Sequence, residues 1–188
     1  MKVLIIDNFD SFTYNLHHYV REFVEDCVVV RSNQISEVDI KNYDKIILSP
    51  GPSLPYDHPV IFDVLKRFSK TKSILGICLG HQAIVEFFDG KLEHLQDVKH
   101  GVSSENQIIE DDSIFQGMSK EFKIAHYHSW VAERHSLPNC LLITSENKDG
   151  LIMSVSHQRY DVKGIQFHPE SVLTDNGKLI IKNWLFPN

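Results

Sequence analysis

The chain has only three cysteines, Cys27, Cys78 and Cys140. A sparse, odd set excludes a disulfide framework and argues for a reduced, cytoplasmic protein. No apolar run approaches the ~18 to 20 residues of a membrane span. The opening Met1-Lys2-Val3-Leu4-Ile5-Ile6-Asp7 is too short for a signal peptide, so no membrane partner is expected. No cluster of lysine or arginine stands out and the formal net charge is -6, which points away from nucleic acid. The eleven histidines include His17-His18 and His126-Tyr127-His128, but no cysteine pair or His-Glu-x-x-His stretch accompanies them. Packing or surface roles are expected for most, and no metal site. Internal repeats, low-complexity tracts and linkers are also missing.

What is present fits one domain over residues 1–188, since 42% hydrophobic and 23% charged residues can build a sizeable core. The first half alternates. Apolar strands are expected at Val3 to Ile6, Val28 to Val30, Lys45 to Leu48 and Ile74 to Ile77. Helices are expected at Ser11 to Glu25, capped by Asp10 or Ser11, at Val60 to Phe68, and from His81 to Phe88. The second half reads as short strands at Lys91 to Gln96, Gln107 to Ile109, Phe122 to Tyr127, Leu141 to Ser145, Leu151 to Ser156 and Lys163 to Phe167. A closing helix is expected at Gly177 to Leu185. The pattern predicts an α/β, three-layer open sheet, mostly parallel, with helices on both faces and some antiparallel strands in the second half.

The stretch Gly76-Ile77-Cys78-Leu79-Gly80-His81-Gln82 carries the chemistry. An apolar strand runs into a cysteine flanked by glycines, and a helix follows. That is a nucleophile elbow with sulfur in place of oxygen. The helix N-terminus favours a thiolate at Cys78. A structural cysteine in a glycine-lined turn would show the same residues. Cys27 and Cys140 precede apolar strands and are given no role.

A cysteine nucleophile needs a base and a group that orients it. Gln166-Phe167-His168-Pro169-Glu170-Ser171 offers both. Pro169 biases His168 to the extended region, where residues two apart share a side, so His168 and Glu170 face one way. The alternative is a strand-terminal His-Pro turn with a solvated glutamate. An oxyanion needs donors, for which the amide of Leu79 and the turn Ser49-Pro50-Gly51-Pro52 are candidates. Gln82 follows Cys78 by one helical turn and could recognise a polar substrate.

Together these residues resemble the class I (triad) glutamine amidotransferases, over essentially the whole chain. The opening Asp7-Asn8-Phe9-Asp10-Ser11-Phe12-Thr13-Tyr14-Asn15-Leu16, with Lys99-His100-Gly101 and Tyr127-His128-Ser129-Trp130, is similar to the glutaminase subunits of anthranilate synthase and 4-amino-4-deoxychorismate synthase. The resemblance implies a glutaminase that supplies ammonia to a chorismate-using synthase subunit, for tryptophan or folate biosynthesis, without cofactor or metal. It implies Cys78, His168 and Glu170 as the triad, and Gly51 and Leu79 as oxyanion donors. L-glutamine would be held by Gln82, by the backbone of Ser129 and Trp130, and by the turn Gly51, Pro52, Ser53. The partner would meet the elbow face and the segment Asp7 to Tyr14. Two positions depart from the subfamily pattern: Ser53, where glycine is usual, and Trp130, where leucine is usual. If residue 53 needs a positive φ, serine costs on the order of 1 kcal/mol. A stand-alone cysteine hydrolase such as a γ-glutamyl peptidase, and a non-catalytic binding module, are the competing readings.

Overall fold

The computed structural model describes residues 1–187, with side chains for all of these except 97–99, so the side chain of Lys99 lies outside the described residues. The elements are β1 (Lys2–Asp7), α1 (Thr13–Arg21), β2 (Asp26–Arg31), β3 (Lys45–Leu48), α2 (Pro59–Phe68), β4 (Ser73–Ile77), α3 (Leu79–Phe87), β5 (Leu92–Ile108), β6 (Glu121–Ala132), β7 (Leu141–Asn147), β8 (Ile152–His157), β9 (Val162–Ile165) and α4 (Gly177–Leu185). Among the described residues the strands form one nine-stranded sheet in the order β2-β1-β3-β4-β9-β8-β7-β5-β6. The five strands from β2 to β9 pair in parallel, and the rest pair antiparallel.

The unbroken apolar strands of the first half arise because both faces are covered. Val3 and Ile5 of β1 turn to one face, with Leu16 and Val20 of α1 and Ile180, Ile181 and Trp184 of α4. Leu4 and Ile6 turn to the other, with Ile61, Val64 and Leu65 of α2 and Ile84 and Val85 of α3. The parallel register sets β9 beside β4, with Ile77 opposite Ile165. Residues 78 and 166 therefore leave the sheet side by side at the carboxyl ends of their strands, where open α/β sheets bind ligands.

Three details differ from the sequence expectation. Helix α1 stops at Arg21 rather than Glu25, because the amides of Phe23 and Val24 both turn to the carbonyl of Val20. The apolar stripe runs on because Val24 stays buried in that turn. Its N-terminal position is Phe12, without a side-chain cap; Asp10 instead accepts the Phe12 amide one step earlier, at 2.7 Å. The two short strands expected between Lys91 and Ile109 are one strand, β5, whose pairing with β6 slips between His94 and Lys99 and again between His100 and Val102. Gly101, at φ +65°, sits at the second slip.

Candidate active site

Cys78 stands between β4 and α3 with φ 51° and ψ -100°. Such backbone costs roughly 1–3 kcal/mol and persists only where its surroundings enforce it. Here the Cys78 amide donates to the Ile165 carbonyl at 2.8 Å, and the Cys78 carbonyl accepts from the Gln82 amide at 3.0 Å. The flanking glycines let the turn close. A Cβ on Gly76 would run into the backbone of Gly80, and one on Gly80 into the backbone of Leu48 in β3. The side chain that results is 6% exposed, facing a cavity.

Beyond β9 the chain crosses towards β6, where the His168 amide reaches the Ala125 carbonyl at 3.2 Å. His168 and Glu170 are both buried, and Nδ1 of His168 lies 2.7 Å from Oε1 of Glu170. The bond leaves Nε2 for chemistry. Burial pushes the His168 imidazole down, but the neighbouring Cys78 sulfur and Glu170 carboxylate outweigh it and raise it well above its ordinary value. A ring so placed between sulfur and carboxylate can hold a proton and deliver it from Nε2. Phe12 and Tyr127 flank the ring edge-on, with centroids 6.0 and 5.0 Å from it.

The cavity in front of Cys78 measures about 250 Å³ and is lined by Gly51 to Ser53, Cys78, Gln82, His100, Tyr127 and His128 to Trp130. Of the expected ligand-holding residues, Gly51, Pro52, Ser53, Gln82, Ser129 and Trp130 meet here. Leu79 does not line the cavity. It is the first residue of α3, so its N–H has no acceptor one turn back, and its side chain lies under Gly51, where a Cβ would strike it. Ser53 has φ +67°, and Trp130 packs edge-on to His94 at 5.0 Å. A larger hollow of about 620 Å³ lies near Ile109, Asp111 and Met118 and is not lined by Cys78. Among the described residues no group of histidine, cysteine or acidic side chains has the arrangement to hold a metal.

Several residues given no catalytic or ligand-holding role in the sequence reading also lie here. Gln166 is fully buried, with Nε2 at 3.6 Å from the Cys78 sulfur. The alternation that pairs His168 with Glu170 puts residue 166 on the same side, so the signal was available. Asn8 anchors the Gly51 turn: its amide donates to the Ser49 hydroxyl at 2.9 Å, and its side chain to the Ser49 carbonyl at 3.0 Å. His128 faces the cavity with Nε2 at 2.9 Å from Nδ1 of His126. Burial and the charges of His126 and His168 depress it to about 3. Burial raises the Asp10 carboxyl, opposed by the Phe12 amide and by His168.

The sequence profile of the family "Glutamine amidotransferase class-I" matches residues 4–187. The anthranilate synthase component 2 of Pseudomonas aeruginosa is 40% identical over 190 residues, spanning 97% of this chain and 94% of that protein. The aminodeoxychorismate/anthranilate synthase component 2 of Bacillus subtilis is 37% identical over 187 residues, spanning 97% and 95%. Among solved structures, a glutamine amidotransferase of Thermotoga maritima superposes with a TM-score of 0.76 at 16% identity, covering 98% of this chain and 80% of that one. That likeness speaks for the fold alone.

Proposed function

The chain belongs to the class-I glutamine amidotransferases, and on that premise we propose that it is a glutaminase subunit supplying ammonia to a chorismate-using synthase subunit. The observation that carries the reading is Cys78 on a cavity of amino-acid size, with the buried His168 ring beside its sulfur and Glu170 bonded to that ring behind the cavity wall. The names of its relatives, components of anthranilate and aminodeoxychorismate synthases, supply the partner class.

In this reading the Cys78 thiolate attacks the side-chain carboxamide carbon of L-glutamine. The amides of Gly51 and Leu79 hold the oxyanion. His168, its Nδ1–H fixed on Glu170, gives the Nε2 proton to the leaving nitrogen, and ammonia departs. His168 then takes a proton from water, which attacks the γ-glutamyl thioester. Collapse releases glutamate and returns the thiolate. Gln82, the turn Gly51 to Ser53, and the backbone of Ser129 and Trp130 hold the amino acid. No step asks for a cofactor. The partner face takes in the elbow side and the segment Asp7 to Tyr14, where Phe9 and Tyr14 are exposed, together with Val172, exposed four residues beyond His168.

The test is glutamate release from glutamine, with chorismate and each of the two synthase subunits in turn. Stimulation by one names the pathway, and stimulation by both means a shared subunit. Hydrolysis of γ-glutamyl peptides well above that of glutamine would overturn the reading, as would activity surviving Cys78→Ala.

A further inference from the structure

Gln166 is fully enclosed, yet its polar end does not simply fill space. The direction of its hydrogen bonds is fixed by a group that can only accept, the backbone carbonyl of Trp130. Gln82 Nε2 donates to that carbonyl at 2.9 Å. The same nitrogen donates to Oε1 of Gln166 at 3.3 Å. With its oxygen committed to Gln82, Gln166 presents its NH2 to the Cys78 sulfur at 3.6 Å. The chain of amides therefore ends on the sulfur with a donor. Parallel pairing of β4 with β9 holds both residues in place, through Ile77 opposite Ile165 and the Cys78 amide on the Ile165 carbonyl.

We propose that Gln166 acts on the nucleophile itself, by donating a hydrogen bond that stabilises and aims the Cys78 thiolate, with Gln82 as the residue that orients it. The inference rests on Cys78 being the nucleophile. A carboxamide suits this position because it carries no ionisable proton. It solvates an anionic sulfur without competing with His168 for the proton. The bond is strongest when the sulfur is negative, before attack and again when the thioester collapses and sulfur leaves. It also gives Gln82 a second duty. Both hydrogens of the Gln82 amide are spent inside the protein, so it meets a ligand in the cavity as an acceptor.

Two variants separate this role from a merely structural one. Gln166→Met keeps the length and removes the donor. Gln166→Glu keeps an oxygen for Gln82 but puts an acceptor against the sulfur. The readouts are the ultraviolet thiolate absorbance of the isolated chain, taken as the difference from Cys78→Ala, and kcat and KM for glutamine in the complex with the synthase subunit. Cys27, which burial pushes up to about 12, stays silent in that difference. Both variants are expected to lose thiolate absorbance. Their kcat should fall roughly ten- to a hundredfold, the kinetic equivalent of one hydrogen bond to a charged group. KM for Gln166→Glu should stay within roughly threefold of the parent, because Gln82 keeps its partner. A Gln166→Glu chain with parental kcat and thiolate signal would overturn the proposal, leaving Gln166 as a prop for Gln82. Undiminished hydrolysis by Cys78→Ala would instead strike the nucleophile assignment. Should Gln166→Met not fold, the alkylation rate of Cys78 in Gln166→Glu decides alone, slower than the parent if the donor matters and equal to it if not.

Discussion

Ser53 holds φ +67° at the mouth of the cavity, a conformation that costs a serine about 1 kcal/mol more than a glycine. Ser53→Gly should therefore raise the free energy of unfolding by ~1 kcal/mol, less the added freedom of the unfolded chain, read from urea midpoints. Glu170 is buried and outside the cavity wall, so in the proposed mechanism it acts on turnover through the ring of His168. Glu170→Gln should cut kcat by roughly 10²- to 10⁴-fold with little change in KM, in a steady-state glutaminase assay. The sequence made the positions of Cys78, His168 and Glu170 legible because each lies in a local pattern: glycines around a cysteine, and alternation held by Pro169. Gln166 shares the alternation of His168 and Glu170, yet its contact with Cys78 shows only once β9 lies beside β4, and Asn8 gives no local sign that it anchors Ser49, 41 residues on.

The elbow works as an element only because two glycines stack between β4, α3 and β3. A Cβ on Gly80 meets the carbonyl and Cβ of Leu48, backbone that cannot move without shifting a central strand. Gly80→Ala should destabilise the fold by ~1–3 kcal/mol and lower activity as well, measured together by denaturation and glutamate release. The loops beside His168 give the opposite case. Val172 is 96% exposed, so Val172→Asp should leave the unfolding midpoint unchanged while weakening assembly with the synthase subunit, measured by titration calorimetry. Elements with a clear period, such as β3 and α4, stand where the apolar pattern puts them. Strand β5 was hidden because its polar middle, with His100 and Gly101 at a slip in register, breaks the alternation that marks a strand.

At the scale of the whole molecule, histidines set the response to acid. His81 is fully buried on α3 and depressed by burial to about 4, and His128 stands at about 3. Both stay neutral in the fold while the unfolded chain takes up protons below the ordinary 6.5. The unfolded state then binds more protons, so stability falls as pH drops from 6.5 towards 4. Glu86, raised by burial to about 7, opposes this in part, because its protonated form is favoured in the fold. His81→Gln should flatten the acid slope of unfolding free energy, followed by urea titration across that window. The α/β class was legible from composition and spacing. The order of strands was not, since no local pattern says that β9 enters between β4 and β8. That placement matters during synthesis. Strand β9, the latest in sequence among the described strands, fills a central slot, so a nascent chain carries the open, apolar edge of β4 until residue 165 has emerged. The half-made protein presents an unpaired strand to every neighbour, which makes the tunnel exit, and the chaperones waiting there, the stage on which this enzyme is most easily lost to aggregation.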